Sequence, residues 1–285
     1  MRSDDALATI LVVSRLADEG TQPLKASEYW RLLDRIGDPG ALLGPTAPQL
    51  IGDLDADLAD RVTRLLDRAT SIAFELERLD QSGIATLTPF DADYPRRWVD
   101  RLGPGAPPVI HAAGPLALLQ QTAVGILGPA DAEDVARDLA AEAVRLGAVV
   151  VTADAGFDAG AGSNTVAVLA DPLLRTVRHP EIRRAVIAGT RLLCTPYAPD
   201  ARATAAARTG RDRLIHALSR VSVVVTTEPS GDQWNGAVAA IDAGFGVGVW
   251  RGPGEGDGNA ALEAHGATPI RSADDLAGVI DEQAT

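Results

Sequence analysis

The sequence predicts an α/β protein, with a helical N-terminal module followed by a doubly wound, mostly parallel sheet. Three observations carry this. The first 80 or so residues place apolar side chains at three-to-four spacing, as in Leu54, Leu58, Val62, Leu65 and Leu66. From Thr122 onward, short apolar runs rich in β-branched residues alternate with helical stretches. Strands alternating with helices of that length imply crossover connections and a parallel sheet covered on both faces.

In order, the pattern predicts helices over Ala6–Leu16, Ala26–Ile36 and Ala56–Leu79. They are punctuated by Gly20, Asp38-Pro39-Gly40 and Gly44-Pro45. A Pro- and Gly-rich segment, Gly83–Gly114, connects them to the rest. Strands are then expected at Ala123–Leu127, Ala148–Thr152, Thr165–Leu169, Arg191–Thr195, Ser222–Thr226, Gly246–Trp250 and Thr268–Ile270. Helices fit Asp131–Leu146, Pro180–Ala188, Gly210–Ser219 and Gln233–Ala243, with a last helix pair near the end. The expected organisation is a compact helical, SAM-like module over 1–82, a connecting segment over 83–114 that extends the second domain, and a Rossmann-like domain over 115–285. In such sheets ligands bind beyond the carboxyl ends of the strands, where loops feed helix N-termini.

Composition narrows the function. Apolar residues make up 46 % of the chain, enough for a sizeable core. No apolar run approaches the roughly 20 residues that span a bilayer. The opening Met1-Arg2-Ser3-Asp4-Asp5 is not a secretory pattern, and Cys194 is the only cysteine. A cytoplasmic protein without a membrane partner, a disulfide or a cysteine zinc site is expected. His111, His179, His216 and His265 lack ligand spacing, so neither metal nor cofactor is expected. The net charge of −13 opposes a nucleic-acid partner, but its distribution does not. Between Arg175 and Arg220 stand ten arginines against Glu181, Asp200 and Asp212, a net of +7. This basic island is a candidate anion site or, more simply, a solvated face.

Several segments resemble the DprA/Smf DNA-processing family. Asp93-Tyr94-Pro95 and Ala106-Pro107-Pro108-Val109-Ile110 with Gly114 are similar to its lead-in. The stretch Gly210–Ser219, containing Arg211-Asp212-Arg213, resembles its R-N-R-I-I-A-G-L-S helix. Glu228, Ser230-Gly231 and Ala237–Ala240 resemble its E-x-x-x-SG-x-x-x-TA segment. Gly258-Asn259, Leu262, Gly266-Ala267 and Ser272-Ala273-Asp274-Asp275 resemble its closing motifs, and Gly37–Leu43 matches the layout of its N-terminal helices. The similarity runs in order along nearly the whole chain. It implies a dimer that binds single-stranded DNA and hands the strand to a strand-exchange recombinase; with no nucleophile–base pair visible in the sequence, no catalysed reaction is expected. Apolar residues near the end, Val247, Val249, Trp250 and Ile270, fit the expected homodimer interface.

Two segments depart from that pattern. The family's G-S-R loop is here Gly128-Pro129-Ala130, followed by Asp131, Glu133 and Asp134. Acids in a first turn stabilise the helix but repel a phosphate, so this loop is expected to have lost its anion role. The family's S-G-x-A-x-G-I-D-x-x-A-H is reduced to Gly156, Phe157 and Asp158, and Ala159–Ser163 is too short for the helix that should follow.

The candidate phosphate contacts are therefore Arg213, Arg211, Ser230, Gly231, Gly128, Gly156 and Asn259. Arg211 and Arg213, two apart on a helix, cannot share a face. Arg213 is expected toward the groove, and Arg211 in an ion pair or in solvent. Ser230-Gly231 reads as a helix cap and a possible phosphate cradle. Gly258-Asn259 also reads as a plain turn. Trp234, Trp250, Phe245 and Phe157 could stack on bases, although aromatics beside strands usually belong to the core. Three other functions compete: a scaffold that has lost its ligand, a binder of a nucleotide signal, and a phosphoribohydrolase-type enzyme using Glu228 beside Arg213. The last lacks that group's P-G-G-x-G-T-x-x-E loop, and no phosphate-binding or nucleophile motif stands in its place.

Overall fold

The structure, a computed structural model, describes residues 2–17, 20–128, 132–160 and 162–282. It divides into two compact units, 1–113 with 196–198, and 114–195 with 199–285. Residues 83–113 lie in the first of these units.

The first unit holds α1 (Asp4–Val13), α2 (Ala26–Ile36), α3 (Ala47–Gly52), α4 (Ala56–Leu66), α5 (Ala69–Gln81), β1 (Ala85–Leu87), α6 (Arg96–Leu102) and β2 (Ile110–Ala113). Ser3 caps α1 by accepting from the Ala6 N–H, and most of the helix is buried. The helix expected over Ala56–Leu79 is two helices, broken at Asp67-Arg68. Arg68 explains the break. Its buried side chain turns inward and donates to the carbonyls of Leu11 (2.6 Å) and Ser14 (3.2 Å), which α1 leaves without helical partners at its end. Val12, Leu24, Tyr29, Leu32, Val62 and Leu65 form the core around it. Strands β1 and β2 pair antiparallel, with Thr86 opposite His111.

The second unit contains β3 (Ala123–Leu127), α7 (Glu133–Arg145), β4 (Val149–Thr152), β5 (Thr165–Val168), α8 (Leu173–Thr176), α9 (Pro180–Ile187), β6 (Arg191–Thr195), α10 (Ala205–Leu218), β7 (Val221–Val224), α11 (Asp232–Asp242), β8 (Gly246–Trp250), α12 (Asn259–His265), β9 (Thr268–Ile270) and α13 (Asp275–Glu282). The seven strands of this unit are parallel, in the order β6-β5-β4-β3-β7-β8-β9. Helices cover both faces, so these strands are apolar throughout instead of alternating. The chain starts at the middle strand, moves outward to β6, then returns to β7 on the other side of β3. The topological switch point therefore lies between β3 and β7. This is the Rossmann-like α/β architecture that the sequence predicts.

Val247, Val249, Trp250 and Ile270 do not form an exposed strip. All four are buried in this unit's own core. The apolar run that suggested an interface is satisfied within the sheet, by β8 and its neighbour β9. Trp250 belongs to the core around β3, with Phe157 packed against it, while Trp234 and Phe245 pack against the cluster under α11 and α12.

Candidate nucleic-acid interface

At the switch point, Gly128 follows β3 directly. A Cβ there would stand 3.1 Å from Val225 Cβ, so the glycine lets the β3 and β7 loops approach closely. Pro129, Ala130 and Asp131 lie outside the described residues. Beyond them, Glu133 and Asp134 both pair with Arg137, at 2.7 Å and 3.0 Å. The first-turn acids thus serve the helix itself.

Between β4 and β5 there is no helix among the described residues, as the short glycine-rich segment predicts. Residues 154–160 alternate instead: Ala155, Phe157 and Ala159 turn inward, while Asp154, Gly156, Asp158 and Gly160 are exposed. Asp154 Oδ1 accepts from the Gly156 N–H at 2.7 Å, and Asp158 Oδ1 from the Gly160 N–H at 2.9 Å. Arg191 pins this ribbon to β5 and β6. It donates to the carbonyls of Ala155 and Phe157 and to Thr165 Oγ1. Burial holds its guanidinium below the usual arginine range, opposed by Asp154 and Asp158. Beside the ribbon lies a cleft of about 380 Å³, whose charged lining is Asp154, Asp171, Glu181 and Arg191. Arg191 was counted in the basic island but not singled out. An arginine opening an apolar strand was the available sign that it has an internal partner.

On α10, Arg211 forms a short pair with its neighbour Asp212, 2.8 Å from Nη2 to Oδ1. Burial raises the Asp212 carboxyl above its usual range, against the pull of Arg211. Arg213 is exposed and makes no ion pair among the described residues. The two arginines thus face different surroundings, one paired and one open to solvent. Glu228, exposed after β7, makes no ion pair with Arg213 among the described residues.

The β7–α11 loop differs in detail from the expected cap. Gly231, not Ser230, occupies the N-cap, with φ of 100° and no side-chain cap bond. Ser230 sits one position earlier and is exposed. Asn259 lies buried behind this loop. Its Nδ2 donates to the carbonyls of Val225 and Trp250, both at 2.8 Å, and its Oδ1 accepts from the Thr227 N–H at 3.0 Å. Gly256 and Gly258 complete the weld, since a Cβ at either would fall 2.5 Å from the backbone of Thr227 or Glu228. Asn259 therefore shapes the loop from within and presents no polar atom to a ligand. Gly258-Asn259 is a clasp between two loops, more than a turn.

The structure thus places Gly128, Ser230 and Gly231 on the two loops at the switch point, with Asn259 beneath them. Gly156 lies past β4, and Arg211 and Arg213 lie on α10. They do not converge on a single pocket among the described residues. The basic island read from the sequence includes Arg175, Arg178, Arg183 and Arg184 of the α8–α9 segment, which are all exposed.

No curated protein matches the chain in sequence. Among solved structures, DNA processing protein A from Streptococcus pneumoniae superposes with a TM-score of 0.60 at 18 % identity, covering 90 % of this chain and 98 % of that one. DNA processing protein A from Helicobacter pylori, described for its single-stranded DNA binding mode, gives a TM-score of 0.56 at 21 % identity. That match covers 70 % of this chain and 96 % of that one. The family model for DNA recombination-mediator protein A matches residues 85–281. The matched span takes in all of the second unit's strands and helices but the last residue of α13, so the chain belongs to the DNA recombination-mediator protein A (DprA/Smf) family of DNA-processing proteins.

Proposed function

We propose that this protein binds single-stranded DNA through its arginines and acts in DNA processing without catalysing a reaction. The observation that carries the reading is Arg213, exposed and without an ion pair among the described residues on the helix that resembles the family's R-N-R segment. A guanidinium left open in a chain with 39 acidic side chains is available to a phosphate. Gly128, Ser230 and Gly231 would give the strand close access to backbone N–H groups, and Gly156 would do so past β4. Asn259 would hold the β7 loop in shape, and Arg211 would contribute through its pair with Asp212. The Helicobacter pylori relative's single-stranded DNA binding supports the substrate class. Transfer of the strand to a recombinase, a homodimer and a cytoplasmic location complete the proposal, and they rest on family resemblance.

A scaffold that has lost strand binding is the second reading. It is favoured by the exposed acids Asp154, Asp171, Glu228, Asp232, Glu255 and Asp257, which follow the strands at their carboxyl ends. A gel shift with a single-stranded oligonucleotide, beside its duplex and a thermal-shift screen of nucleotides, separates the readings. Retardation of the single strand alone is expected. Absence of any shift at low salt leaves the scaffold, and stabilisation by one nucleotide leaves the signal binder.

A further inference from the structure

The segment Leu173–Thr190 has a surface that its own fold does not use. Helix α9 buries none of its residues. Its half-buried side, Ile182, Ala185 and Val186, leaves Arg183, Arg184 and Ile187 on the outer side. Ile187 is 74 % exposed, a large apolar side chain in open solvent. Arg175 and Arg178 extend the same stretch toward α8, and both are exposed. Within this segment stand four arginines and one acid, Glu181, a net of +3 in a chain of net −13. None of the four arginines makes an ion pair among the described residues, although carboxylates abound elsewhere. Among the described residues, Arg184 alone of the four makes a side-chain hydrogen bond, from Nε to the Pro180 carbonyl.

Charge left unpaired on a helix that adds little to the core is not explained by stability. It complements a polyanion. The loops after β7 and β8 are the poorer site, because the exposed Glu228, Asp232, Glu255 and Asp257 repel phosphates there. Asp154 and Asp171 do the same in the cleft they share with Thr176, His179, Glu181 and Ile182, which leaves the outer side of α9. The connection from β5 to β6 moves along the sheet in the same sense as that from β3 to β4, whereas α10 returns in the opposite sense. Right-handed crossovers then put α9 on the face of α7 and Arg213 on the other face.

Resting on the single-stranded DNA reading, we propose that the strand's principal contact is the α8–α9 face, through Arg175, Arg178, Arg183 and Arg184, with Ile187 as an apolar contact for a base.

The test is fluorescence anisotropy of a labelled oligothymidylate of about 20 nucleotides with the full chain, comparing wild type, the double variant Arg183→Gln/Arg184→Gln, and Arg213→Gln. The double variant removes two phosphate contacts, so affinity should fall about tenfold and the salt slope should shrink by about 1.4. The loss should exceed that of Arg213→Gln. Both substituted residues are exposed, so circular dichroism and melting should match wild type, and Ile187→Ser should weaken binding with the salt slope unchanged. Hydrogen exchange on bound wild type should show protection over 173–188. If wild type binds and the double variant binds equally well, the α8–α9 assignment is overturned while the DNA reading stands. If wild type does not bind at low salt, both are overturned.

Discussion

Arg191, the first residue of β6, donates from Nη2 to the carbonyl oxygen of Phe157 at 2.6 Å. That bond, with those to Ala155 and Thr165, holds an extended ribbon where the sequence leaves no room for a helix. Arg191→Ala would strip partners from two backbone carbonyls and should cost about 3 kcal/mol in urea unfolding. It should also speed amide exchange across 153–163 well beyond its effect on α10. Exchange unchanged over the ribbon would mean that apolar packing of Phe157 and Ala159 suffices.

Asn259→Ala removes three hydrogen bonds from a buried side chain and leaves backbone groups of Val225, Thr227 and Trp250 to find new partners. A loss of about 3 kcal/mol is expected. Asn259→Asp should be similarly harmful, because a carboxylate cannot donate to the two carbonyls. Chemical denaturation of both variants checks this, and a loss below about 1 kcal/mol would remove the clasp from the account.

Tight packing at Gly125 gives a third expectation. A Cβ there would meet Ser219 Oγ at 2.6 Å and Ile215 Cγ2 at 3.1 Å, between β3 and the end of α10. Gly125→Ala should destabilise by about 1–3 kcal/mol through overpacking, seen as a lower melting temperature. A neutral effect would show that α10 can move away from the sheet at no cost.

How far the sequence alone reached follows from the physics of each signal. Strands buried on both faces stand out as apolar runs, so Ala123–Leu127, Arg191–Thr195 and Gly246–Trp250 are read with the bounds observed. The break at Arg68 was hidden because periodicity continues across it, and only the tertiary demand of the α1 carbonyls turns that side chain inward. Burial by distant elements was equally hidden, which is why Val247, Val249 and Trp250 suggested an interface. Asn259 looked like a turn residue because its partners are 9 to 34 positions away. Charge was legible as a sum over the island, whereas the division between paired Arg211 and open Arg213 needed coordinates.

The pH dependence of stability follows from His216, which is buried and whose Nδ1 lies 2.6 Å from Ser222 Oγ. Burial pushes its pKa down to about 4, from 6.5 in a solvated chain. Below pH 6.5 the unfolded chain takes up a proton that the folded protein refuses, so stability present at pH 7 is lost as pH falls toward 4. The full loss is on the order of 3 kcal/mol. His111, pushed down to about 3 by burial, acts in the same direction, while Asp212, raised by burial, opposes them in the carboxylate range. Urea midpoints at pH 7 and pH 5 should differ accordingly, and His216→Gln should flatten the difference. A midpoint that rises on acidification would contradict the buried neutral histidine.

If open arginines on this domain hold the phosphates of a single strand, binding must weaken steeply as salt rises. For about four phosphate contacts, log affinity against log salt should fall with a slope of roughly −3. The measurement is an anisotropy titration of a single-stranded oligonucleotide from about 20 to 200 mM salt, repeated with the duplex. That slope is expected for the single strand, with weaker binding of the duplex. No binding at the lowest salt, or affinity that does not change with salt, would contradict it.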